Sequence, residues 1–298
     1  MDVDSLLERV REGLRTPPSC GVPAVDAVVA DALVPGKLLR PDLVVRSAAA
    51  AASAEPAADP DVDDRVVAGA TAVELLHVAT LVHDDIIDTA PTRRGRPSVV
   101  ARAGTATAIV VGDLLLARGA AAAESAGAGA AWARALECMA AGQLREAALA
   151  DAPSVAAHAE YATLKTAELF RSSAEIGALA VGAPPDVVEA HGRFGLHFGI
   201  AFQHLDDLLD TVGDPLRMGK PVGLDAANGV PTAVALLDDP VSAVADLLVG
   251  EVAAARAVLP GSPLSDWATA SLRRALDLSL DDAGRARTAG LVEALAGL

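Results

Sequence analysis

Two acidic clusters of identical spacing, Asp84-Asp85-x-x-Asp88 and Asp206-Asp207-x-x-Asp210, stand in separate halves of the chain. Each ends a long apolar, helix-compatible run. Each is followed by Thr and then by a breaker, Pro91 in one case and Gly213 to Pro215 in the other. Side chains four apart share one face of a helix, so Asp84 points with Asp88, and Asp206 with Asp210. The breakers place both clusters in the last turn of their helices. That end of a helix favours cations, so carboxylates gathered there work against the local field. Asp84, Asp85, Asp88, Asp206, Asp207 and Asp210 therefore predict a site for something strongly positive. A few carboxylates with room for water and phosphate oxygens suit Mg²⁺. One such cluster alone is more often a solvated helix face; two at matching helix ends are far more specific.

Thr92-Arg93-Arg94-Gly95-Arg96-Pro97 follows the first cluster. Carboxylates holding a metal, the metal bridging phosphate oxygens, and guanidinium groups taking further oxygens bidentately would together bind a diphosphate. The net charge of −16 argues against a nucleic-acid or anionic-membrane surface. The phosphate site is expected to be a local basic pocket in an acidic protein.

These residues need a frame. The 298 residues are 52% hydrophobic but only 2% aromatic, so Ala, Leu and Val must fill the core. Ala is the best helix former and permits close helix packing. Strand signals are nearly absent. Breakers at Pro17-Pro18, 53–61, 91–97, 151–154, 182–186, 213–231, 238–240 and 259–263 divide the chain into long helical blocks. Those near 62–89, 155–181 and 186–211 are apolar around most of their circumference, as buried helices are. The 213–231 loop holds Arg217 and Lys220, and long loops in compact domains are usually functional. Cys20 and Cys138 fit no metal or redox spacing. The first fifteen residues carry charges throughout, unlike a signal peptide. The apolar stretch 105–123 contains Asp113 and Arg118, which argues against a membrane span. The reading is one all-α domain, 1–298, soluble and cytoplasmic, with the acidic motifs on two facing central helices.

Over roughly residues 30 to 232 the chain resembles the trans-isoprenyl diphosphate synthases (polyprenyl synthetases). The residues that carry the resemblance are Gly36-Lys37-Leu38-Leu39-Arg40-Pro41, the run Leu75 to His83 into the first Asp-rich motif, and Gly112-Asp113-Leu114-Leu115-Leu116-Ala117. Further on come Tyr161 to Phe170 with Lys165-Thr166, Phe202-Gln203-His204-Leu205 before the second motif, and Gly219-Lys220-Pro221 after it. The resemblance implies a helical bundle of the isoprenoid synthase type with a central active-site cavity, usually as a homodimer. It implies that the six aspartates hold Mg²⁺ on the diphosphate of an allylic substrate, with Arg93, Lys165 and Lys220 on further oxygens. Lys37, Arg40, His77 and Arg94 would bind isopentenyl diphosphate. Thr166 and Gln203 would stabilise the allyl cation. On their own, His77 reads as a core histidine and Lys165 and Gln203 as interhelical polar contacts.

The chain departs from the family pattern at Leu38, where Arg is common, and at Gly229-Val230-Pro231-Thr232, where Gly-Lys-x-Thr is common. Val230 removes an expected diphosphate-binding cation. In the family an aromatic residue four or five positions before the first Asp often closes the hydrocarbon pocket. Here Thr80 and Ala79 stand there, which predicts geranylgeranyl or longer products, with Leu75 and Leu76 as lower stops. A class I terpene cyclase is the nearest alternative enzyme, but its second metal motif differs from Asp206 to Asp210. A non-catalytic subunit of a heteromeric prenyltransferase is the alternative from another class, although such subunits lose these aspartates.

Overall fold

The computed structural model describes residues 1–52, 59–218, 232–237 and 240–298. Helices dominate them, in agreement with the all-α reading. The first half runs α1 (Val3–Arg15), α2 (Pro23–Ala32), α3 (Leu39–Ala51), α4 (Val62–Ile87) and α5 (Val99–Ser125). Then follow α6 (Gly129–Asp151), α7 (Val155–Ala162), α8 (Glu168–Ala180), α9 (Pro185–Val212), α10 (Pro215–Met218) and α11 (Ala233–Leu236). The C-terminal part comprises α12 (Pro240–Val258), α13 (Pro263–Ser279), α14 (Asp282–Arg287) and α15 (Ala289–Gly297). Side-chain oxygens of Asp2, Ser98, Ser154, Ser262 and Asp281 accept from amides in the first turns of α1, α5, α7, α13 and α14, satisfying groups a helix start leaves orphaned.

Contacts divide the chain into two compact units, 1–134 with 173–188 and 135–172 with 189–298. In the first, α4 lies against α5, α3 and α1. Its Val66, Ala70, Val73, Leu76 and Ala79 are fully buried, with Leu43, Val44 and Leu115 beside them in the same core. By length and composition alone α4 and α5 could each cross a membrane; α4 is mostly buried within the protein and α5 mostly is not. In the second unit Phe170 meets Phe198 edge to face at 5.3 Å, and Phe198 reaches Trp267 at 5.1 Å. Such pairs add stability beyond the area they bury. This cluster spends four of the chain's few aromatic rings, because Phe202 also packs, tilted, against Phe170.

Three features escaped the sequence. Breaks fall at 33–38 and at 126–128, where Gly127 takes a positive φ of 69°. A two-residue antiparallel hairpin, β1 (Thr92–Arg93) with β2 (Arg96–Pro97), follows α4. Between α7 and α8 the helix widens to a π turn over Thr163–Ala167, so 155–180 is one helix with a bulge at Lys165-Thr166. Such bulges are often found at functional sites.

Two glycines clamp that bulge. A side chain at Gly142 of α6 would start 2.6 Å from the Lys165 amide nitrogen, and one at Gly199 of α9 would start 2.6 Å from Ala167 Cα. Both obstacles are backbone, which cannot rotate away. Gly142→Ala is expected to cost about 1–3 kcal/mol, the range for forcing a methyl into a packed core. Denaturant unfolding of the purified variant checks this; an unchanged midpoint would show that the bulge is not clamped.

Candidate active site

The first motif and its bases lie together in the first unit. α4 ends at Ile87 with Asp88 as its C-cap, as the breaker predicts. Thr89 then adopts φ 50° and the chain turns through the hairpin, whose two central residues, Arg94 and Gly95, have φ 52° and 73°. Two-residue hairpins favour such positive φ values at both central positions because the twist then matches the strands. Leu38, before α3, has φ 51°. Among the described residues, the three non-glycine residues with positive φ thus sit in or beside the first acidic motif, the arginine pair and the Gly-Lys element. Strained backbone collects at functional sites.

The hairpin aims Arg93 back at the motif. Its Nε and Nη2 donate to Asp85 Oδ1 at 2.9 and 2.6 Å, and the Asp85 side chain is 3% exposed. Ser98 fixes the return by donating to Ala90 O at 2.6 Å. A cavity of about 530 Å³ opens beside Asp85, Arg93 and Arg94, walled by Val78, Leu81 and Val82.

Arg94 lies over Gly36, where a side chain would start 3.1 Å from its Cζ. Arg40 approaches His77 Nε2 at 3.4 Å. Burial holds the Arg40 pKa down to about 10, with Glu74 opposing and Arg94 adding to the shift. Burial also raises the Glu74 carboxyl, against the pull of Arg40 and Arg94. His77 is held well below its ordinary value by burial first and then by Arg40, Arg94 and Arg93, so it stays a neutral imidazole. The structure brings Arg40, His77 and Arg94 together; Lys37 is exposed on the preceding turn. Glu74 was not anticipated, although it stands three residues before His77, which puts it near the same face of α4. The cations exceed the buried anion, and a phosphate would balance them.

Both His83, which approaches Ile109 O of α5 at 3.3 Å, and Ala72, whose carbonyl meets Gly119 of α5, lie on one stripe of α4. At about 100° per residue, Ala79 belongs to that stripe, and it is fully buried. Thr80 lies instead on the stripe of His77, Asp84 and Asp88, and its hydroxyl donates to His77 O at 2.9 Å. The two positions read as chain-length residues thus face different ways.

The second unit carries the other motif on α9. That helix runs on to Val212, so Asp206 lies nearly two turns before its end rather than in the last one. Asp207 is 1% exposed. It accepts from Gln203 Nε2 at 2.8 Å, from the Ala233 amide at 3.0 Å and meets His158 Nε2 at 3.1 Å. Thr166 donates to Gln203 Oε1 at 2.7 Å. Lys165 pairs with Glu146, which also accepts from Tyr161 at 2.7 Å and from Gln143 at 3.1 Å. Burial raises the Glu146 pKa, but these donors outweigh it and bring the carboxyl below its usual value. Glu146 and His158 were not singled out beforehand; Gln143-x-x-Glu146 one turn apart on α6 was the available signal. Arg217 is exposed and pairs with Asp214 at 3.5 Å. Lys220, Val230 and the Gly219-Lys220-Pro221 element lie outside the described residues.

Asp85 and Asp207, read from sequence as ligands beside their neighbours, have thus taken protein partners. The residues still fit a divalent metal. Asp210 is buried, and among the described residues its Oδ1 has no hydrogen-bond partner, which is costly unless a cation takes it. No three Asp, Glu, His or Cys groups converge on one point among the described residues. A metal there would draw its remaining oxygens from substrate and water, as Mg²⁺ commonly does.

A family model described as polyprenyl synthetase matches residues 23–238. The chain belongs to that family. It is 40% identical over 198 residues to a (2E,6E)-farnesyl diphosphate synthase of Mycobacterium bovis, covering 64% of this chain and 53% of that protein. It is 37% identical over 183 residues to heptaprenyl diphosphate synthase component 2 of Geobacillus stearothermophilus, covering 58% of this chain and 57% of that one. The chain therefore spans a little over half the length of these curated relatives. A solved polyprenyl synthase from Caulobacter crescentus CB15, complexed with calcium and isoprenyl diphosphate, aligns with a TM-score of 0.67 at 26% identity, covering 100% of this chain and 98% of that one.

Burial keeps His77 and His204 below their ordinary pKa and holds His191 down to about 4. The unfolded chain gains a proton at each near pH 6.5 while the folded chain does not. Stability is therefore lost as pH falls below 6.5, by up to about 1.4 kcal/mol per pH unit for each histidine. Glu74, protonated earlier in the fold than in the unfolded chain, acts in the opposite sense. Denaturation at pH 7 and pH 5 should show the loss, and His191→Gln should reduce the slope by about one proton. A flat profile would contradict the burial argument.

Proposed function

We propose that the whole chain, 1–298, works as one domain that condenses isopentenyl diphosphate with an allylic diphosphate to give a trans-polyprenyl diphosphate. The observation that carries this is the meeting of Arg40 from α3 and exposed Arg94 from the hairpin around part-buried His77 of α4, the helix that bears the first acidic motif: a phosphate receptor beside a metal receptor. Arg40, Arg94 and Lys37 take the charge of isopentenyl diphosphate, and neutral His77 offers a hydrogen bond without adding charge. Arg93, Lys165 and Lys220 serve the allylic diphosphate. Bound Mg²⁺, held by Asp84, Asp88, Asp206 and Asp210, would supply Lewis-acid stabilisation of the departing diphosphate. The allylic carbon–oxygen bond breaks, the isopentenyl double bond attacks the cation, and a proton leaves to the released diphosphate. Aliphatic walls exclude the water that would quench the cation. The calcium and isoprenyl diphosphate named for the Caulobacter structure support the metal reading. We place the reaction in the cytoplasm.

Activity is expected to vanish in excess chelator and to return with Mg²⁺ or Mn²⁺. Asp84→Ala and Asp206→Ala should each lower turnover by orders of magnitude while circular dichroism stays unchanged. Full turnover with metal removed would refute the proposal.

For product length, the proposal is geranylgeranyl diphosphate or longer. On the stripe beneath Asp84 stand Thr80, His77 and Val73, none a Phe or Tyr that would close the path. Because Ala79 lies in the α5 contact, Ala79→Phe would disturb packing, whereas Thr80→Phe should shorten the product. Mass analysis of products from purified protein, isopentenyl diphosphate and a series of allylic primers checks this. Farnesyl diphosphate as the sole wild-type product would overturn it.

We further propose a homodimer. Ile109 and Val110 of α5 are 45% and 64% exposed, apolar surface that a second copy would cover. The second reading is one subunit of a heteromer, favoured by the relative named component 2. Sedimentation with and without Val110→Glu, and turnover of the purified chain alone, separate the two.

A further inference from the structure

The bonds around Asp207 run in one direction. A carboxylate only accepts, so Gln203 must turn its amide nitrogen toward Asp207 Oδ1, 2.8 Å away. Its carbonyl oxygen then faces Thr166 at 2.7 Å, and across that contact only the hydroxyl can donate. The Thr166 proton is thereby directed into the protein, and the lone pairs of its oxygen are not spent on Gln203. His158 Nε2 and the Ala233 amide, at 3.1 and 3.0 Å, fill Asp207 Oδ2. His158 is 3% exposed and Asp207 1%, so neither is solvated in place of these bonds.

We propose that His158 is a positioning residue which, through Asp207 and Gln203, sets the polarity of the Thr166 hydroxyl. This rests on the prenyltransferase reading and adds three assignments to it. Asp207 is the anchor of a directional chain rather than a metal ligand. Thr166 rather than Gln203 is the main source of lone pairs for the allyl cation, because its hydroxyl spends only its proton on this contact whereas the Gln203 carbonyl spends one of its two lone pairs. The Ala233 amide ties the start of α11 to the same anchor. Fixed dipoles aimed at developing charge are worth most when they need no reorganisation during the step, and the clamped bulge under Thr166 provides that rigidity.

Asp207→Asn tests the polarity. If the new amide turns its nitrogen to Gln203, Gln203 must flip, and Thr166 must then accept and present its proton to the cation. Turnover should fall on the order of 10²-fold, as for loss of one preorganised group, with the allylic Michaelis constant within about threefold. Thr166→Val should fall similarly. In the Thr166→Val background Asp207→Asn should add less than about threefold, since groups acting as a unit are not additive. His158→Gln, which keeps a donor, should retain most of the activity that His158→Leu loses. Mn²⁺ binding, read by electron paramagnetic resonance with an unreactive allylic diphosphate analogue, should stay within about threefold in Asp207→Asn and collapse in Asp206→Ala. Additive losses, or Mn²⁺ binding lost in Asp207→Asn, would overturn the inference while leaving the prenyltransferase reading intact. A wild-type protein that makes no prenyl diphosphate would instead sink that reading. Should Asp207→Asn not fold, His158→Leu with Thr166→Val forms the same cycle.

Discussion

A carboxylate taken out of water must find donors or lose its charge, and much of this site is arranged around that constraint. Asp85 is answered by Arg93, Asp207 by His158, Gln203 and the Ala233 amide, and Glu146 by Lys165, Tyr161 and Gln143. In each case at least one partner comes from a different element. Pairing therefore fixes elements as well as charges: Asp85 sets the hairpin, Asp207 sets the start of α11, and Glu146 sets the π turn. The middle aspartate of each motif lies about 100° around the helix from the first and about 60° from the third. It turns to partners within the protein.

Scarce aromatics make this geometry possible. Small side chains let backbone approach backbone, and the bulge between Gly142 and Gly199 depends on that closeness. A π turn holds one residue more than an α turn and shifts the side chains after it. Lys165 reaches Glu146 on α6 while the next residue, Thr166, reaches Gln203 on α9. Neighbours in sequence thus serve different helices.

What could be read beforehand followed from periodicity and from residue chemistry. The long apolar blocks near 62–89, 155–181 and 186–211 correspond to α4, to α7 with α8, and to α9, because burial around the whole helix leaves a composition signal. The arginine pair was visible, but its hairpin was not. Two-residue strands carry no alternation, and only Arg94-Gly95 hinted at the turn. The bulge was illegible because it is imposed by packing between glycines on two other helices rather than by local propensity. His158 was equally hidden, since it stands on a short helix remote in sequence from the aspartate it serves. Asp207 was read with its neighbours as one motif; that it also meets His158 and the Ala233 amide depends on elements far away in sequence.

A local cluster of cations stands out in so acidic a chain. Against a net charge of −16, Arg40, Arg93 and Arg94 gather around His77, and Arg94 repels Arg40 where burial already disfavours its charge. The fold tolerates this only because Glu74 sits among them and because His77 gives up its proton. A charged imidazole at that point would add a further cation and cost stability, whereas a neutral one still donates a hydrogen bond. What remains is a surplus of positive charge that the protein does not neutralise by itself. A diphosphate carries the opposite charge in a compact group, so its binding, as proposed, would relieve repulsion already present in the folded chain, and affinity would come from that relief as well as from new bonds.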